Sequence, residues 1–157
     1  METKTTLEAS TLEALHSLYA TTAGSEGFYA EASKAAKDPV FIRLFAFLAD
    51  QRAAIEAELA KHLALNLETP SEDGASLKDA LHATWMKMRA LLNGGDPYVL
   101  LIEAERAEER IQADYERLIK ATAGSAMNAV LLRQLGLLKT AHDRIRELRD
   151  LAAEASA

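Results

Sequence analysis

The chain contains no cysteine. That absence excludes disulfides, iron–sulfur clusters, thiolate zinc sites and cysteine nucleophiles, and it fits a reducing cytosol. Aromatic residues are scarce, at 6%, while Ala and Leu abound, which argues against a sheet-rich fold. No stretch approaches 18 apolar residues, so no transmembrane helix is expected. Met1 to Thr6 is polar and lacks the apolar core of a signal peptide, and a cytoplasmic location is the expectation. No Lys/Arg block reaches five residues, and the formal net charge is -6. Phosphate binding needs a concentrated basic footprint, so nucleic acid is not an expected partner. Gly-rich phosphate loops, nucleophile elbows and HExxH are absent as well. What remains is a globular balance over 157 residues, 49% hydrophobic and 27% charged. It predicts one all-α domain over 1–157 with its core at about 10–153.

Ser10-Thr11-Leu12-Glu13 reads as a capping box opening a first helix that runs to about Lys37. Gly24 and Gly27 interrupt it. They are either tolerated or mark the close approach of a neighbouring backbone. Asp38-Pro39 restarts the chain, with Asp38 as N-cap and Pro39 at the first helical position, for a second helix to about Leu67. The turn formers from Glu68 to Gly74 begin a crossover of about 68–95. Within it, Ser76-Leu77-Lys78-Asp79 caps a short helix to about Leu92, with Leu77, Leu81, Trp85 and Met88 on one face. Asp96-Pro97 opens a third long helix, Gly124 closes it, and Ser125 caps a fourth to about Ala153. The layout is two antiparallel hairpins joined by a long crossover, as in ferritin-like bundles. A five-helix globin-like packing is the alternative. The short helix, with Trp85 and Met88, or the first hairpin is expected to form a homodimer contact.

The apolar stripes at 3–4 spacing are broken by polar residues at mid-helix. They run Leu12, Leu15, Tyr19, Thr22, Glu26, Tyr29; then Phe41, Leu44, Leu48, Gln51, Ile55, Glu58, His62; then Leu101, Glu105, Glu108, Ile111, Tyr115, Leu118; and last Leu131, Leu135, Leu138, His142, Ile145, Leu148. Counting from the two turns sets Glu26 level with Gln51, and Glu105 level with His142. Carboxylates facing one another in a bundle core need a cation, a proton or a base between them. Two readings follow. One is a metal-free polar network in which Gln51 and His142 hydrogen-bond the carboxylates and Arg52 or Lys139 neutralises them. The other is a metal site through Glu26, Glu105, Glu108 and His142. Glu58 and His62, one turn apart, are more simply a solvated pair. His16 and His82 read as surface residues, and Trp85, Met86 and Met88 as a packing face.

The segments Ser25-Glu26-Gly27-Phe28-Tyr29, Glu103-Ala104-Glu105-Arg106-Ala107-Glu108-Glu109 with Tyr115, and His142 to Asp150 resemble a bacterial family of ferritin-like four-helix-bundle proteins of unknown function. The likeness extends from about Leu12 to Leu151 and implies the fold without implying an activity. The wider superfamily binds two irons through a Glu on helices one and three and a Glu-x-x-His on helices two and four. By that resemblance Glu26 and Glu105 match the two single glutamates, and Glu108 an additional one seen in rubrerythrin-type sites. His142 matches the histidine of helix four. Lys139 replaces its Glu partner, while Gln51 and Ala54 replace the Glu and His of helix two. The implied centre is degenerate. The expected role is a non-enzymatic, stress-associated or protein-interaction module without a cofactor. The alternative is an oxidoreductase or iron handler holding Fe or Mn in a reduced carboxylate/histidine site.

Overall fold

The computed structural model describes residues 7–65 and 97–155. They form four helices: α1 (Ala9–Ala35), α2 (Pro39–Leu65), α3 (Pro97–Ala121) and α4 (Ala126–Ala155). Among the described residues there is no strand, and the helices alone cover more than two-thirds of the chain. No helix there is long and apolar enough to cross a membrane. The short helix expected between Ser76 and Leu92 lies outside the described residues, with His82, Trp85, Met86 and Met88.

Local chemistry fixes the helix ends, with two departures from the expected caps. The Asp38 carboxylate accepts the Val40 amide at 2.9 Å, and Pro39 occupies the first helical position, where an amide would be unpaired anyway. Ser33 Oγ donates to the Ile42 carbonyl at 2.9 Å and ties the hairpin shut. The capping box at Ser10 does not form. The Leu12 amide reaches the Glu8 carbonyl at 3.0 Å, so the helix begins at Ala9 and Ser10 already lies inside it. At the second turn Gly124 takes φ +84°, a left-handed conformation that glycine adopts without a Cβ penalty. Ser125 stands at the N-cap position, but its hydroxyl is buried with no hydrogen-bond partner. Asn128 closes this turn instead, its Nδ2 donating to the Ile119 carbonyl at 2.8 Å. Gly27 sits in an unbroken helix, and a Cβ there would meet nothing within 4 Å. It is a tolerated glycine and not a point of close approach.

Each hairpin is antiparallel, with α1 packed closely on α2 and α3 on α4. Between hairpins, α1 lies beside α3 and α2 beside α4. These neighbours are antiparallel too. Thr11 and Ala14 share a groove with Leu118 and Ala121, whereas Tyr29 meets Glu108. Glu58 meets Arg133 and Gln134, whereas Leu44 and Leu48 cluster with Ile145 and Leu148. It follows that α2 and α3 run parallel on the diagonal. The chain leaves α2 at the end holding the α3–α4 turn and re-enters α3 at the end holding the α1–α2 turn. Each helix is roughly 40 Å long at 1.5 Å per residue.

Two apolar clusters fill the interior. One, near the α1–α2 turn, contains Phe28, Tyr29, Phe45, Leu48, Leu101 and Ile145. The other, near the α3–α4 turn, contains Leu15, Leu18, Ile55, Leu59, Ile111, Tyr115 and Leu131. Along α2 they are separated at Gln51 and Arg52, and along α3 at Glu105 and Glu108.

The caps give a direct test. Asp38→Ala should cost about 0.5–2 kcal/mol in urea unfolding, because it strips a first-turn amide of its acceptor. Ser125→Ala, at the equivalent position of the other turn, should be neutral or stabilising, because its hydroxyl makes no bond to lose.

Candidate functional site

The spacing of Glu105 and Glu108 keeps both on the stripe of Leu101, Ile111, Tyr115 and Leu118, and all six are buried. Glu108 is 0% exposed and Arg52, from the diagonal helix α2, is 1% exposed. Arg52 Nη2 donates to Glu108 Oε1. Tyr29 of α1 donates its hydroxyl to the same oxygen at 2.5 Å. The Arg52 guanidinium also lies 5.7 Å from the Tyr29 ring centroid, within cation–π range. Burial, then the Glu108 charge, push the Tyr29 phenol well above its ordinary value of 10.0, which keeps it a donor. Arg52 Nε and Glu108 Oε2 have no protein partner, and neither do Gln51 Oε1 and Gln112 Nε2.

A second network links α3, α4 and α2. The Tyr115 hydroxyl donates to Gln134 Oε1 at 2.8 Å, and Gln134 Nε2 donates to Glu58 Oε1 at 2.6 Å. Arg133 also binds Glu58. Burial raises the Glu58 pKa, but hydrogen bonds from Arg133 and Gln134 outweigh it and leave the carboxyl below 4.5. The charge of His62 acts in the same direction.

A third group lies on the α3–α4 flank. His142 Nε2 is 3.5 Å from Glu105 Oε1 and 3.2 Å from Glu109 Oε1. Arg149 grips the other Glu105 oxygen, Oε2. Glu105, Glu109 and His142 form a set able to hold a metal ion.

The residues singled out in the sequence therefore separate. Glu105 and His142 come together. Glu108 faces the axis with Arg52 and Tyr29. Glu26 faces Glu56 across the α1–α2 hairpin, where burial, then hydrogen bonding and repulsion from Glu26, raise the Glu56 carboxyl to about 7. Gln51 is half-buried beside Arg52, because the α2 core passes through Leu48, Arg52 and Ile55. Lys139 is exposed, one position past the buried Leu138, and Arg149 is the cation on Glu105. Glu56, Glu109, Gln134 and Arg149 join these groups although the stripe pattern of the sequence does not mark them. The four-residue step from Glu105 to Glu109 and the seven-residue step from His142 to Arg149 would have placed two of them on the flank.

A di-iron centre does not fit the axis. Helix α2 offers Gln51 and Ala54 in place of a carboxylate and an imidazole, and the buried Arg52 guanidinium already engages Glu108. Residues 10–121 match the family described as "Domain of unknown function (DUF2383)". Among proteins of curated function, none matches the chain.

Two measurements probe this interior. Glu108→Leu alone should cost about 3–5 kcal/mol, since it strands a buried guanidinium. Adding Arg52→Met should recover most of that loss in urea unfolding, because no charge is left to desolvate. The Glu56 carboxyl gives a pH signature. Between pH 4.5 and about 7 the folded chain holds a proton that the unfolded chain releases. Its stabilising contribution is therefore full below pH 4.5 and lost as pH rises through 7. Thermal unfolding of Glu56→Gln across that window should lack the wild-type decline.

Proposed function

Since the chain belongs to the DUF2383 family of unknown function, we propose from its own interior that it is a non-enzymatic protein-interaction module. Its bundle is of ferritin-like ancestry, and an arginine has replaced the metals of the axis. The single observation that carries this reading is Arg52, a guanidinium 1% exposed, paired with Glu108 and lying against Tyr29. A cation on the axis repels a metal ion and occupies a carboxylate that an iron would need. The expected ligands Glu26, Glu105, Glu108 and His142 are correspondingly divided among three groups, each with its own partner. Large apolar side chains on the outside of α2 and α4, Phe47 at 62% exposed among them, supply surface for protein contact. A second copy of the chain, docking through the first hairpin, is the partner proposed.

The test is elemental analysis of untagged protein purified without chelator, combined with assays for dioxygen- and peroxide-dependent turnover. Substoichiometric iron and manganese and no turnover are expected. Two irons per chain, with peroxide consumed, would overturn the reading. Light scattering at high micromolar concentration should give twice the chain mass. A monomer there would remove the second copy as partner.

A further inference from the structure

The α3–α4 flank carries a donor set that the axial network does not use. Glu105 and Glu109 stand one turn apart on α3, and His142 of α4 lies against both. One imidazole N–H points along a single line and cannot serve two carboxylates with good geometry. A metal ion among three donors can. The three donor atoms fall within 4.8 Å of one another. Tetrahedral zinc, with bonds of about 2.0–2.2 Å, sets its ligands about 3.3–3.6 Å apart. The separations from His142 Nε2, 3.5 and 3.2 Å, already approach that spacing.

The surroundings suit such an ion. Arg149 holds Glu105 Oε2 and so leaves Oε1 turned toward His142. His142 Nδ1 lies 3.4 Å from Asp143 Oδ1, the kind of outer partner that orients a metal-bound imidazole. The floor is closed and the mouth open: the Glu105 and His142 side chains are 8% and 12% exposed, that of Glu109 59%. Arg149 pairs with Glu105 and Arg106 with Glu103, while Glu109, which shares its outer face with Arg110, keeps its Oε1 toward His142.

We propose that Glu105, Glu109 and His142 bind one divalent cation of the zinc class on the α3–α4 flank, with water completing its coordination. The site is separate from the arginine-filled axis and links the two helices of one hairpin. It adds to the interaction-module reading and does not depend on it.

The test titrates chelator-treated full-length protein with zinc chloride, by calorimetry and by thermal unfolding. Wild type should bind one zinc per chain and unfold at a higher temperature with zinc present. Glu109→Gln, at an exposed position that does not threaten the fold, should weaken binding by at least about tenfold. His142→Ala should abolish it, with helicity by circular dichroism showing that the chain is folded. Cobalt in place of zinc should develop tetrahedral visible absorption in wild type alone. The proposal is overturned if wild type shows neither heat nor a thermal shift, or if Glu109→Gln binds as wild type does. Zinc binding lost in Glu108→Gln but kept in Glu109→Gln would place the ion on the axis, and would also sink it.

Discussion

The ion pair between Arg52 and Glu108 constrains everything around it. Both side chains are essentially out of water, and withdrawing each charge costs several kcal/mol. Their attraction offsets that cost only with good geometry and further hydrogen bonds, one of which Tyr29 provides. Because α2 and α3 stand on the diagonal, the pair crosses the bundle centre and fixes the height of one hairpin against the other. Slippage by a turn would move Glu108 into one apolar cluster and Arg52 into the other. A wholly apolar centre would have no such register mark. Specificity of packing is thus purchased with stability, a use well attested for polar residues in helical cores.

The interior was legible where the stripe left little choice. On α3, Leu101, Glu105, Glu108, Ile111, Tyr115 and Leu118 are all buried, and the sequence pattern had placed all six there. On α2 the pattern selected Gln51 over its neighbour, yet Arg52 is the residue on the axis. Periodicity locates a face to within about one residue. Between an amide and a guanidinium side by side, it favours the uncharged one. What reverses the choice is a carboxylate 56 residues away, which no local pattern encodes. The same limit separated Glu26 from Glu105. The level counted from the turn brings Glu105 to His142 on α3 and α4. On α1 and α2, however, Glu26 meets Glu56, five positions past Gln51. The rotation of one hairpin against the other decides which residues of the two halves meet. At the caps, Asp38 followed its local signal. Ser10 lost out to a helix that starts earlier, and Ser125 to Asn128 in the next turn.

The two hairpins differ in how they handle charge. On α3 and α4, Arg149 answers the Glu105 carboxylate and His142 lies against both Glu105 and Glu109. On α1 and α2, Glu26 and Glu56 meet as like groups, and one of them holds its proton into the neutral range. One side of the bundle therefore responds to pH through a carboxyl that burial first, and its like neighbour second, keep protonated, while the other presents donors in an arrangement suited to a cation.

The division of contacts bears on how the chain folds. Within each hairpin the helices are joined by a few residues, so closing them costs little loop entropy and their contacts are local. The contacts between hairpins join residues far apart, 79 positions for Tyr29 and Glu108. Joining the hairpins therefore carries the larger loop-closure cost, and it also takes a guanidinium and a carboxylate out of water. The bond that marks the register of the two hairpins is thus also one whose partners start far apart along the chain, 56 positions for Arg52 and Glu108.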